Sequence, residues 1–170
     1  MPGPTVYNSP SLQEHNVGAV PGYIEEDVMN RLCDMIEALQ DYNGIKRYRN
    51  KPDMTLKQVI EESNSIYRKG GYDGKNYLHD AYHTNASSDR SVRGGEVLIA
   101  GEEYQDSLRA AKLRMKYLEA ATPSPDRGIK VRKDLGEITG TIASANITEF
   151  IFHTNPDDAK DMLDRTGEYA

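Results

Sequence analysis

Residues 77–100, "YLHDAYHTNASSDRSVRGGEVLIA", hold two short apolar runs separated by a polar loop. Tyr77 to His83 reads as a β-strand and Glu96 to Ala100 as another, while the Ser, Asp and Gly between them are turn-forming residues. Two of the chain's four histidines, His79 and His83, stand four apart on the first run. An extended strand puts them on one side, roughly 13 Å apart at ~3.3 Å per residue. That is too far for both to bind one ion, so His79 is expected to be a buried partner or a surface residue.

Outward from this pair, strand-like and helix-like stretches alternate. Thr5-Val6-Tyr7 is a short strand running into "NSPSLQEHNVGAVPGY", whose Asn, Ser, Pro and Gly mark a loop. Val28, Leu32, Met35, Ile36 and Leu39 recur at helical spacing, with Glu25, Glu26 and Asp27 in the first turn and Gly44 as a stop. Ile45 to Tyr48 reads as a strand. Thr55 with Gln58 forms a capping box that opens a second helix. Tyr104 to Ala121 is a third, carrying Leu108, Ala111, Leu113, Met115 and Leu118; "TPSPDRG" breaks it. "NITEFIF", residues 146–152, is a β-prone run in which Ile147, Glu149 and Ile151 alternate with Thr148, Phe150 and Phe152. Asn155 before Pro156 then opens a last helix. The pattern predicts an α/β fold: one domain over residues 1–170, with a twisted, mostly parallel sheet and helices on both faces. Ligands of such sheets bind beyond the carboxyl ends of the strands.

The bulk numbers narrow the function. A net charge of −6 argues against nucleic acid as a partner, since phosphate binding needs a basic face. No run is apolar and long enough to span a membrane, and the N-terminus lacks the basic start and apolar stretch of a signal peptide. The single Cys33 excludes an intrachain disulfide and lies in a helical pattern as a small core residue.

The polar outliers at strand ends carry the chemistry. A hydrolytic zinc site needs three nitrogen or carboxylate ligands and an open position for water. A carboxylate outside that set then moves the proton. His15, a glutamate at the start of the first helix, His83 and Glu149 could supply such a group. Each histidine alone has a plainer reading as a packed or capping residue.

Five segments, in order, resemble the zinc-dependent N-acetylmuramoyl-L-alanine amidases, the type 3 amidases of bacterial cell walls and phage endolysins. They are "SPSLQEHNVG", "GYIEEDVMNRLCDMIEAL", "AYHTNASSDRSVRGGEVLI", "TPSPDRGIKVR" and "ITEFIFHTNPDDAKDML". The first departs from the family's usual Asp-x-Gly-His-Gly turn, having Gln13-Glu14-His15-Asn16 instead. The resemblance implies Zn²⁺ held by His15, Glu25 and His83, with Glu25 preferred to Glu26. It also implies Glu149 as general base, and Asn85 and Arg93 flanking the cleft where they could touch substrate. Local capping by Asn85 and a salt bridge by Arg93 are equally open. His153 lies past the last strand near the cleft edge.

The implied activity is cleavage of the amide between N-acetylmuramic acid and L-alanine of the peptidoglycan stem peptide. The alternatives are a zinc peptidase acting on another stem-peptide bond and a non-catalytic wall-binding domain of the same fold. The substrate partner would be peptidoglycan, with no membrane insertion and a monomeric catalytic domain. Action on the wall without a signal peptide suits a phage or prophage lysin, or a domain cut from a secreted enzyme. An acidic domain gains no attraction to a polyanionic wall, so targeting is expected from a C-terminal module outside this chain.

Overall fold

Strand β1 (Thr5–Pro10) pairs in parallel with β2 (Lys46–Arg49) on one side and β3 (Tyr77–Asn85) on the other. Strands β4 (Gly95–Ile99), β5 (Asp126–Val131) and β6 (Ser144–Phe152) complete a six-stranded sheet of order β2-β1-β3-β6-β4-β5. Every neighbouring pair is parallel except β4 with β6. The computed structural model describes residues 2–170, which form one α/β domain around this mostly parallel sheet.

Helices cover both faces. α1 (Glu25–Tyr42), α3 (Gln105–Ala121) and α5 (Pro156–Asp164) lie on one side, over a core that includes Val28, Leu32, Ile36, Ala111, Met115, Leu118, Phe150 and Ile151. On the other face, α2 (Leu56–Gly70) packs through Val59 with Tyr7, Tyr72 and Tyr77, while the short α4 (Gly136–Gly140) covers Ala81, Leu98, Ala145 and Ile147 through Ile138. Fully burying an aliphatic or aromatic side chain is worth about 1.5–3 kcal/mol, so the first cluster carries most of the stability.

The caps form as the sequence predicts. The Thr55 hydroxyl accepts from the Gln58 backbone N–H while the Gln58 side chain accepts from the Thr55 N–H. The Asn155 side chain accepts from the N–H groups of Asp157 and Asp158, with Pro156 in the first turn. α1 has no side-chain cap, and its acidic first turn complements the helix dipole instead.

Three expectations change. Leu113 faces solvent at 53% exposure, so α3 packs through Ala111, Met115 and Leu118. The segment after "TPSP" is β5 followed by α4, an edge strand with little apolar content and a helix too short to show periodicity. Finally, Ile151 packs with Phe150 against the α1 side, rather than sharing a face with Glu149. A register shift explains this: His83 pairs with Glu149 but Asn85 with Phe152, so β6 carries one extra residue and its alternation is reset after Glu149.

Candidate active site

The carboxyl ends of β1, β3 and β6 meet where loop 11–24 leads into α1. Because β4 runs antiparallel to β6, its first residues rather than its last reach the same end, which brings Glu96 opposite Glu149. On the other side of β6, Glu149 stands opposite His83.

Glu25 and His83 converge. Glu25, fully buried at the first turn of α1, sets Oε1 3.1 Å from His83 Nδ1, and the same oxygen accepts the Thr84 backbone N–H at 3.3 Å. Its other oxygen accepts from Asn16 Nδ2 at 2.8 Å and lies 3.8 Å from His153 Nδ1. Burial disfavours the Glu25 carboxylate, but hydrogen bonding and attraction from His83, with help from Asn16, outweigh that and hold its pKa below the ordinary value. Glu26, one residue on, makes no such contact: burial and the nearby Glu14 and Asp27 raise its pKa.

His15 is not brought to this pair. Its side chain is 92% exposed and lies beside Glu14, 3.3 Å away. Gln13 from the same loop stands closer, with Nε2 3.4 Å from His83 Nδ1. Among the described residues, no three His, Cys, Asp or Glu side chains converge as a ready ligand set. The test of zinc against this geometry is therefore specific. Two donors fit, since a 3.1 Å separation matches neighbouring ligands on a tetrahedral ion with bonds near ~2.0 Å. The third donor that the resemblance names, His15, lies on loop 11–24 and is not brought to the pair.

Glu149 has the features of a proton carrier. The residue is half-buried, and its Oε2 is enclosed with no hydrogen-bond partner. Burial is the main cause that pushes its pKa up to about 7; nearby Glu25 and Glu96 add to this and His83 opposes it. An orphaned carboxylate oxygen beside a histidine costs folding energy, and such groups concentrate where substrate or water will bind.

Glu137 was not anticipated. It lies on α4, and its carboxylate meets three side chains from the sheet. Oε1 accepts from Ser9 Oγ at 2.5 Å and lies 3.1 Å from His79 Nε2; Oε2 lies 3.6 Å from His83 Nε2. Burial would raise this carboxyl, but His79 and His83 outweigh it and hold it well below the usual carboxylate range. His79 itself is fully buried, stacked on Tyr7 with centroids 5.2 Å apart, and bonded through Nδ1 to Ser63 Oγ at 3.0 Å. The two histidines of β3 thus share one carboxylate, which spans the gap between them. The sequence held no signal that pointed to Glu137 itself, since α4 is too short to show a pattern.

His83 is held between carboxylates on both ring nitrogens. Burial opposes its charged form, but Glu137 and Glu25 outweigh that and raise its pKa to about 10. A cleft of about 340 Å³ opens beside it, lined by Ser9, Gln13, Glu137 and His83 with apolar Leu12, Met54, Leu56 and Val59.

Of the other expected contacts, Asn85 Nδ2 donates to Glu96 at 3.0 Å, and Arg127 Nε donates to the same carboxylate at 3.0 Å. Arg93 is committed to structure: it donates to Asp158 at 2.9 Å and to Ser124 at 3.1 Å, while Asp158 also accepts the backbone N–H groups of Gly94 and Phe152. His153 is buried, bonded to Thr84 through Nδ1, and stacked near Tyr23. Cys33 is buried and its thiol is pushed up to about 12, mainly by burial, which makes it unreactive.

Comparison with known proteins places the chain in a family. A family model described as N-acetylmuramoyl-L-alanine amidase matches residues 9–169. Among solved structures, the catalytic domain of the amidase CwlV from Bacillus (Paenibacillus) polymyxa var. colistinus superposes with a TM-score of 0.81 at 17% identity, covering 98% of this chain and 91% of that one. The amidase AmiC2 of Nostoc punctiforme gives 0.81 at 14% identity, covering 98% and 90%. The catalytic domain of CD27L, an endolysin targeting Clostridia difficile, gives 0.74 at 21% identity, covering 98% and 92%. No curated protein matches in sequence.

Proposed function

From a chain that belongs to the N-acetylmuramoyl-L-alanine amidase family, we infer a peptidoglycan hydrolase that cleaves the amide between N-acetylmuramic acid and L-alanine of the stem peptide. Glu25 and His83 would hold zinc, with the third donor from loop 11–24. Bound there, zinc would polarise the scissile carbonyl and make hydroxide available near neutral pH.

The chain's own residues supply the rest. Glu149 takes a proton from the attacking water as oxygen adds to the carbonyl carbon. It then returns a proton to the leaving nitrogen as the C–N bond breaks, giving a lactyl carboxylate and a free alanyl amine. A carboxyl with a pKa of about 7 can do both, because neither protonation state is strongly disfavoured at working pH. The apolar wall of Leu12, Met54, Leu56 and Val59 in the cleft beside His83 suits the methyl groups of the lactyl–alanyl junction.

The observation that carries this reading is the unpartnered Glu149 oxygen beside His83. A purely structural glutamate would have an arginine or donor on that oxygen. Glu149→Gln should leave folding and zinc content unchanged and reduce wall hydrolysis roughly 10²–10⁴-fold. Release of free lactyl acid and N-terminal alanine, followed by mass spectrometry of digested walls, checks the bond. Full activity in the folded, metal-loaded variant would remove Glu149 from the mechanism.

A further inference from the structure

The mechanism above leaves one buried cluster unused: Glu137, His79 and Ser9. His83 joins this cluster to the proposed metal donors through its second ring nitrogen. A metal-binding imidazole must offer a lone pair at one nitrogen and keep its plane fixed, and an acceptor at the other nitrogen secures both. Glu137 Oε2 stands 3.6 Å from that nitrogen, an ion-pair distance that a small shift of the ring closes to a hydrogen bond.

We propose that Glu137 is a positioning residue that accepts the Nε2–H of His83 and so presents Nδ1 toward Glu25; this rests on the zinc reading above. Three observations support it. The Glu137 carboxylate is almost wholly buried, so its orientation is set by partners rather than solvent. Those partners come from two strands, Ser9 on β1 and His79 on β3, which fix the carboxylate against the sheet. His79 is in turn fixed by Ser63 on α2 and by its stacking on Tyr7, so the chain of contacts ends in packed core. His79 thereby acts on His83 from four residues away without touching the metal.

The role differs from a stability role in what it predicts for the metal. The test measures zinc affinity by competition with a chromophoric chelator, and the visible absorption of the cobalt-substituted protein, in the full chain. Glu137→Gln keeps the shape and weakens acceptance at Nε2. It should raise the zinc dissociation constant about 10–100-fold and alter the cobalt spectrum, with far-UV circular dichroism unchanged. Ser9→Ala, which removes one anchor and leaves the carboxylate, should shift both in the same direction by a smaller factor, and it decides the matter if Glu137→Gln does not fold. A folded Glu137→Gln protein with the parent's zinc affinity and cobalt spectrum overturns the inference while the zinc reading stands. A parent chain that binds no zinc, giving the same blank titration as His83→Ala, overturns both.

Discussion

Glu149 carries opposite demands for folding and for chemistry. Its carboxyl is pushed from the ordinary 4.5 to about 7, chiefly by burial, so the folded protein holds that proton more tightly than the unfolded chain does. The associated stability is present below about pH 4.5 and is lost as pH rises through about 7. At about 1.36 kcal/mol per pH unit the limit is about 3 kcal/mol, and partial exposure reduces it to about 1–2. Metal-free Glu149→Gln should therefore be more stable than the parent at pH 8 and no more stable near pH 4.5. Urea unfolding of both chelated proteins at the two pH values tests this, and a difference independent of pH would mean the charge is not the cause.

The third zinc donor is also decided at this scale. The resemblance implies His15, whereas the loop geometry presents Gln13 to His83 and leaves His15 in solvent. The Gln13 amide nitrogen that faces His83 does not bind zinc, so completing the set requires loop 11–24 to turn inward with His15. Zinc binding should therefore weaken more in His15→Ala than in Gln13→Ala, and the reverse order would remove His15 from the ligand set.

Among elements, legibility in the sequence tracked burial and length. The helices α1, α2 and α3 and the central strands β3 and β6 carry apolar residues at regular spacing, and caps at Thr55 and Asn155 mark the starts of α2 and α5. β5 and α4 were invisible for opposite reasons. β5 is an edge strand with a largely polar sequence, and α4 is a single short turn with one buried apolar side chain, Ile138. Glu137 was missed with α4, because a carboxylate between Gly136 and Ile138 looks like any surface glutamate until the sheet beneath it is known. Glu25, His83 and Glu149 were singled out through the family resemblance; the pattern alone marked a glutamate opening α1, a histidine near the end of β3 and a carboxylate inside the apolar run of β6.

The junction at Gly94 shows how such ends are built. Its φ of 111° is one that side chains with a Cβ rarely adopt, and an added Cβ would meet the Pro125 carbonyl oxygen at 2.2 Å. Its N–H also donates to buried Asp158 at 2.9 Å, locking the start of β4 that delivers Glu96. Gly94→Ala should destabilise the domain by roughly 2–4 kcal/mol, read as a drop in the urea midpoint at unchanged slope. A loss below about 0.5 kcal/mol would show that this strand start is free to move.

For the molecule as a whole, site and core are separable. The main core packs Leu32, Ile36, Met115, Leu118, Phe150 and Ile151 between α1, α3, α5 and the sheet, and none of these side chains is a proposed zinc donor. Removing the metal thus takes away ligand bonds at one end of the sheet and leaves the apolar burial intact, unlike a zinc finger, where the metal supplies the folding energy. A ligand present at about 100 times its dissociation constant adds about 2.7 kcal/mol, and a domain of this size shifts by roughly 2–4 °C per kcal/mol. Chelation should therefore abolish wall hydrolysis, lower Tm by about 5–10 °C and leave the far-UV circular dichroism at 25 °C unchanged. Turbidity of purified walls and a thermal scan on the same chelated sample read both outcomes. Loss of the helical signal at 25 °C would mean that the metal is part of the core after all.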